Sequence, residues 1–258
     1  MNPEATELQL VAEGRHHNPH SVLGFHQETK DWVVRALRPF AKSVSLKTKS
    51  GNLEMQHVHG GIWELRGSKK LGDYRILASY ENAADWESDD PYRYLPKLGD
   101  LDIHLIGEGR HEQLWQALGA HYQESKDSLG DTSGVSFKVW APNATSVRVV
   151  GDFNHWDGHL YQMRSMGSSG VWELYIPGVK PGALYKFQIR TKHGNWITKI
   201  DPLARRTEIP PATASIVEQS SYKWSDQTWM QKRSATNALS APMSTYELHL
   251  GSWRGPKN

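Results

Sequence analysis

Cysteine is absent from the 258 residues. Disulfides and cysteine metal sites are therefore excluded, and the compartment stays open, because a cysteine-free chain is stable in any redox environment. No apolar run approaches the ~18 residues of a membrane span. No run of Lys and Arg suits nucleic acid, there is no acidic tail, and the charges balance to +2. Met1 to Glu7 lack the basic-then-apolar order of a secretory signal. The expectation is a soluble, cytoplasmic protein that takes neither nucleic acid nor membrane as partner. Phenylalanine is scarce too, at 5 residues against 11 Trp. An indole is costly to bury unless its N–H finds a partner, so the excess points to aromatic surface, although sandwiches also favour Trp.

What is present reads mostly as strand. A helix is expected over residues 2–15, with Asn2 as cap, Pro3 at the first position and Gly14 at the end. His16, His17, His20 and His26 follow among turn residues. A metal there is conceivable, but no helical His pair with a nearby carboxylate is spaced for one, so a loop and no metal are expected. Strands are then read over residues 32–37, 43–47, 53–58, 61–65 and 74–80. Helices are expected over 100–107, capped by Asp100, and over 111–118, with a linker or long turn at 125–134. Strands return over 135–140, 146–150, 170–176, 184–190 and 195–200. Residues 219–240 are polar, dotted with Trp and without clear period. The fold class is mainly β: two tandem immunoglobulin-like antiparallel sandwiches, with short helices at the N-terminus and between them.

The tandem reading rests on an internal repeat. Val33 to Pro39 falls on Ser136 to Pro142, Ala41-Lys42-Ser43-Val44 on Ala144-Thr145-Ser146-Val147, and Gly61-Ile62-Trp63-Glu64-Leu65 on Gly170-Val171-Trp172-Glu173-Leu174. Tyr74 then falls on Tyr185, and Asp90-Pro91 on Asp201-Pro202. The spacing only lengthens along the chain, so the second copy is the longer. Its extra length includes Gly151-Asp152-Phe153-Asn154-His155-Trp156-Asp157-Gly158, where the first copy has Thr48-Lys49-Ser50-Gly51-Asn52. The first copy turns without aromatics, so Phe153 and Trp156 are not required by the turn. Two roles fit Trp156, a plug for the sandwich end or a platform for a flat apolar ligand face; Phe153 is read as packed inward. Strand alternation sets Tyr185, Phe187 and Ile189 inward and Lys186, Gln188 and Arg190 outward. A polar face with Lys186 beside Trp156 and Trp196 suits a sugar, whose C–H faces lie on rings and whose hydroxyls want charged or amide partners.

Val139-Trp140-Ala141-Pro142-Asn143-Ala144, Gly151 to Trp156, Gly170 to Leu174, Leu184-Tyr185-Lys186-Phe187 and Asp201-Pro202 together resemble carbohydrate-binding module family 48. His20 to His26, Leu118-Gly119-Ala120-His121 and Tyr246 to Arg254 are similar to bacterial 1,4-α-glucan (glycogen) branching enzymes. The resemblance implies a first sandwich over 1–124, a family 48 module over 125–222, a linker over 223–243 and the start of a (β/α)8 barrel over 244–258, whose opening strand, Tyr246 to Trp253, is expected to be disordered or docked on a sandwich without its neighbours. It also implies α-glucan (glycogen, amylose, maltooligosaccharides) and the absent barrel as partners, and no cofactor. Trp156, Lys186 and Trp196 match glucan-contacting positions of such modules, and Asn154, in the same turn, is counted with them. The catalytic carboxylates of that family lie in the barrel, so no catalytic residue is assigned here. The expected role is the non-catalytic N-terminal region of a branching enzyme. Two alternatives stay open: a sandwich pair that braces a barrel without binding sugar, and the N-terminal part of a debranching or other amylase-clan enzyme.

Overall fold

The computed structural model describes residues 4–237 and 239–253. The chain divides into two compact units, Met1–Gln219 and Ser220–Asn258. The first opens with helix α1, Ala5–Ala12, and Glu7 accepts the backbone N–H of its cap residue Glu4 at 3.1 Å. The expected cap, Asn2, and Pro3 lie outside the described residues.

Eight strands follow: β1 (Gly24–Glu28), β2 (Asp31–Leu37), β3 (Ser43–Thr48), β4 (Gly51–Glu54), β5 (Gln56–His59), β6 (Ile62–Gly67), β7 (Arg75–Ser79) and β8 (Trp86–Ser88). They form two antiparallel sheets, ordered β1-β2-β6-β5 and β4-β3-β7-β8. Trp32, Val34, Ala36, Val44, Leu46, Trp63 and Ile76 fill the space between them. The single strand expected over 53–58 is two strands in different sheets. The chain crosses at Met55, whose side chain is buried and whose N–H bonds Val44 O at 2.9 Å.

Helices α2 (Asp100–Gly107) and α3 (Leu114–Ala117) connect the sandwiches. Gly99, not Asp100, is the cap of α2; Asp100 stands in the first turn, where a carboxylate favours the positive helix end. The helix expected over 111–118 is a single turn, because Leu118 is already extended and leads into β9, Gly119–Gln123. Residues expected as a linker form the hairpin of β10 (Lys126–Asp127) and β11 (Gly130–Asp131). Then come β12 (Gly134–Trp140), β13 (Ala144–Gly151), β14 (Arg164–Ser165), β15 (Val171–Pro177), β16 (Leu184–Thr191), β17 (Trp196–Lys199), β18 (Arg206–Thr207) and β19 (Ser215–Ile216). One sheet runs β14-β15-β12-β9; the other runs β13-β16-β19-β18, with β17 also on β16.

The repeat read from sequence is a repeat of contacts. Tyr74 donates to Asp90 Oδ2 at 2.7 Å, and Tyr185 to Asp201 Oδ2 at 2.6 Å. The other oxygen of each carboxylate takes the N–H two residues on, from Tyr92 and from Leu203. The Trp63 indole bonds Arg38 O, and that of Trp172 bonds Ala141 O. Met163 repeats the crossing of Met55, its N–H on Val147 O at 2.8 Å. The repeat extends further back than the sequence comparison took it. Leu23-Gly24-Phe25-His26 and Leu118-Gly119-Ala120-His121 open their sheets alike, each His ring nitrogen bonding the Leu carbonyl three residues earlier. Gly24 and Gly119 both sit at positive φ, +88° and +96°, against the backbone at Tyr92 and Leu203.

The two sandwiches share a core. Val11, Val22, Leu23, Leu37, Ile62 and Tyr92 cluster with Phe137, Trp172, Leu174 and Phe187. Strand β15 is buried on both faces, because the chain before α2 covers the side that carries Glu173 and Tyr175. Glu173 accepts the N–H groups of Lys97 and Leu98 at 2.5 and 3.0 Å, and Tyr94 packs edge-on to Tyr175. Of the loop histidines, His16 accepts from Asn18 N, His26 bonds Leu23 O, and His20 packs edge-on to Tyr92. Burial first, and then the charge of Arg164, push the pKa of His20 down to about 2. Among the described residues no three His, Cys, Asp or Glu side chains converge on a possible metal position.

The hairpin β10–β11 clamps the pair electrostatically. Asp127 takes two bonds from Arg75, at 2.7 and 2.9 Å, and one from Arg93 at 2.7 Å.

The unit Ser220–Asn258 holds helix α4, Gln227–Ala235, and helix α5, Leu250–Trp253. The expected barrel strand is not formed: Tyr246 to His249 is irregular, and α5 continues it as a helical turn. A barrel strand is held by two neighbours, and none pairs with this segment among the described residues. Residues 254–258, the last of the expected barrel start, lie outside the described residues. No helix among the described residues is long and apolar enough to cross a membrane.

The Asp127 clamp gives a pH prediction. The hydrogen bonds from Arg75, ahead of an opposing burial contribution, hold its carboxyl below the usual carboxylate range. A depressed folded-state pKa stabilises above the unfolded pKa of about 4, and that contribution is lost as the pH falls toward the folded value. Asp127→Asn should destabilise the protein by about 2–3 kcal/mol at pH 7. Denaturant melts between pH 5 and 2 should show a shallower loss of stability for the variant; parallel curves would contradict the assignment.

Candidate carbohydrate site

The outer face of the sheet β13-β16-β17 carries the candidate site. Pairing places Lys186 opposite Val150, Gln188 opposite Arg148, and Arg190 opposite Trp196. Lys186 and Arg190 thus stand ~13 Å apart along one strand, pointing to the same side.

The turn from Gly151 to Gly158 closes the end of this face. Asn154 builds it: its Oδ1 accepts from Gly151 N at 2.8 Å and its Nδ2 donates to Val149 O at 3.0 Å. Asp152 accepts from Leu184 N, which ties the turn to β16, and Trp156 N bonds Gly151 O. These bonds hold His155 and Trp156 in succession at φ of +53° and +61°. Left-handed backbone costs non-glycine residues roughly 1–2 kcal/mol each, and such strain gathers where a side chain must be aimed. The side chain so aimed is Trp156, 41% exposed. Phe153, three residues earlier, packs inward on Phe137 and Tyr161, as the sequence indicates.

Lys186 places its ammonium 6.0 Å from the centre of the Trp156 ring and donates to Thr213 Oγ1 at 2.7 Å. These two sequence-chosen residues are therefore neighbours. Trp196 is half-buried at the other end of the face, with the Arg148 guanidinium 3.9 Å over one side of its ring. Asn154 belongs to the turn itself, with both ends of its amide on the backbone.

Arg148 is the residue that sequence reading missed. It is buried, and it donates to Gly14 O and Glu13 O, both at 2.7 Å, at the C-terminal end of α1, where a cation is favoured. Burial pulls its pKa down to about 10. Gly158 lies flat against it, since an added Cβ would meet Arg148 Cβ at 2.8 Å. The available signal was one basic residue between the apolar residues Val147 and Val149, on the outward side of a strand. The first sandwich has Arg75 where the second has Lys186, and Arg75 is spent on Asp127.

Residues 117–204 match the family model described as carbohydrate-binding module 48 (isoamylase N-terminal domain). Residues 4–92 match the N-terminal domain of the α-1,4-glucan branching enzyme GlgB. The chain carries the N-terminal domain of the branching-enzyme family and a family 48 module.

Relatives agree along the whole length. The 1,4-α-glucan branching enzyme of Leifsonia xyli subsp. xyli is 50% identical over 254 residues, 96% of this chain and 34% of the relative. That of Thermobifida fusca is also 50% identical, over 98% of this chain and 34% of the relative. The chain thus spans about a third of the length of the curated relatives it matches. Among solved structures, a type I pullulanase from Bacillus subtilis with maltose is 15% identical over 78% of this chain and 27% of its own, with a TM-score of 0.34. That likeness is too low for an argument.

The turn gives a second prediction. Asn154→Ala removes two backbone hydrogen bonds and should cost about 1–2 kcal/mol of stability. Indole fluorescence of single-Trp variants should show Trp156 less ordered; an unchanged melting curve would mean that the turn is held by other contacts.

Proposed function

We propose that the second sandwich binds α-1,4-glucan on the outer face of β13-β16-β17, with Trp156 stacking on a pyranose ring and Lys186 bonding its hydroxyls. The observation that carries this reading is the Lys186 ammonium beside the exposed, left-handed Trp156, inside the segment that matches a carbohydrate-binding module. Trp196 extends the contact along the sheet with the ring side that Arg148 leaves uncovered. Asn154 acts by shaping the turn.

In the parent protein this region holds glucan near a catalytic domain that forms α-1,6 branches in glycogen biosynthesis. The names and identity of the relatives support that role. The natural setting is the cytoplasm, and the natural partners are glycogen and maltooligosaccharides. Within this chain the buried carboxylates Asp90 and Asp201 are spent on tyrosine hydroxyls and backbone N–H groups, which suits structure and not acid–base chemistry.

Affinity electrophoresis through amylopectin tests the site. The chain should be retarded, Trp156→Ala should weaken binding about 10- to 100-fold, and Lys186→Ala a few-fold. Migration of Trp156→Ala level with the parent chain would overturn the assignment. Incubated with amylose, this chain alone should form no α-1,6 branch points.

A further inference from the structure

A cleft of about 400 Å³ separates the two sandwiches on the side of the turn away from Trp156. Trp86 of the first sandwich and Phe153 and Tyr161 of the second line it, with Glu87, Asp89 and Asp131. The Gly151–Gly158 turn therefore serves two surfaces. Phe153 lines the cleft, and Trp156 does not.

The polar groups of this cleft are incomplete. The Tyr161 hydroxyl and the Trp86 indole N–H have no hydrogen-bond partner among the described residues. The Arg38 guanidinium lies 4.7 Å over the Trp86 ring, and its Nε is buried without a partner. Aromatic rings with an outward O–H and N–H are built for a ligand with apolar faces and hydroxyl edges. The three carboxylates are already paired, Glu87 with Lys47, Asp89 with Arg93 and Asp131 with Lys180, so none is free to hold a cation. Arg75 is likewise held by Asp127, and Arg38 donates to Leu37 O and Ser88 Oγ behind Trp86, so neither is free to hold an anion. A neutral polyol fits both constraints.

We infer that this cleft is a second sugar site, which takes a short α-glucan with a pyranose ring against Tyr161 and Trp86. The choice of α-glucan among neutral sugars rests on the proposed function; the existence of the cleft site does not.

Indole N–H signals of the full chain, titrated with maltoheptaose, test this. Trp86→Phe and Trp156→Phe assign the two signals. Both should move on titration, and the Trp86 signal should still move in Trp156→Ala. Tyr161→Phe keeps the ring and removes one oxygen. It should raise the maltoheptaose concentration needed to shift Trp86 about tenfold and leave the Trp156 titration unchanged. A Trp86 signal that stays fixed while Trp156 saturates overturns the cleft site alone. A Trp86 signal that titrates while Trp156 stays fixed overturns the surface site alone. If Tyr161→Phe titrates Trp86 as the parent does, the hydroxyl contact is wrong, and if neither signal moves, both sites are.

Discussion

A buried tyrosine hydroxyl bonded to a buried aspartate is the contact on which this architecture depends, and it occurs twice. Asp90 is fully buried and Asp201 nearly so. Burial raises the pKa of both carboxyls, despite the bonds they accept from Tyr74 and Tyr185. A buried polar group left unpaired is costly, so each carboxyl holds its partners to one geometry. Each carboxylate takes a tyrosine hydroxyl, from just before β7 or from β16, with one oxygen and a backbone N–H from the departing chain with the other. The chain can leave the sandwich in only one direction. From Asp90 that direction carries Tyr92 into the joint, where its hydroxyl donates to Leu160 O and accepts from Gln162 N. Leu160 and Gln162 are the tail of the segment that presents Trp156. The first sandwich thus sets the far end of the segment that carries Trp156 in the second.

The duplicated scaffold has diverged by reassigning equivalent positions. Lys186 faces a ring and an open surface, while Arg75 at the same place is locked to Asp127. The Trp-bearing turn of one copy is a plain hairpin, β3 to β4, in the other. The outer face at Arg75 has become a joint; that of the second sandwich is covered by α1 at Arg148 and stays open around Lys186. This division of labour needs no change in either core. The inward residues of β7 and β16 and the tyrosine locks keep the same pattern in both.

Period-two alternation and the repeat were enough to read most strands, both sandwiches, and the pairing of Trp156 with Lys186. Alternation is set by local backbone geometry, so it survives in the residues themselves. What escaped reading was set by distant contacts. The crossing at Met55 looks like one strand, because both halves are extended and only their partners differ. Strand β9 resembles a helix end until β12 is in place to pair with it. Arg148 looks like a solvated strand residue until α1 arrives to bury it. The Leu-Gly-x-His signature was in view in both copies, but its meaning as a left-handed glycine against the chain after an Asp-Pro lies in tertiary packing. Tyr246 to His249 shows the same dependence: a barrel strand without its neighbours has no ladder to join.

The paired methionine crossings have a consequence for how such modules change. In each copy the chain leaves β3 or β13, pairs back along it, through β4 in one and through Tyr161 O to Val149 N in the other, and is held last by Met55 N to Val44 O or Met163 N to Val147 O. Both ends of the intervening loop are thereby anchored to the same strand, whatever its length. Six residues, 49–54, fill the interval in one copy and eleven, 152–162, in the other. Chain added there alters neither the register of the sheets nor the position of the next strand. The interval is a tolerant insertion point, where a module can acquire a ring, a charge or a longer arm while its folding instructions stay intact.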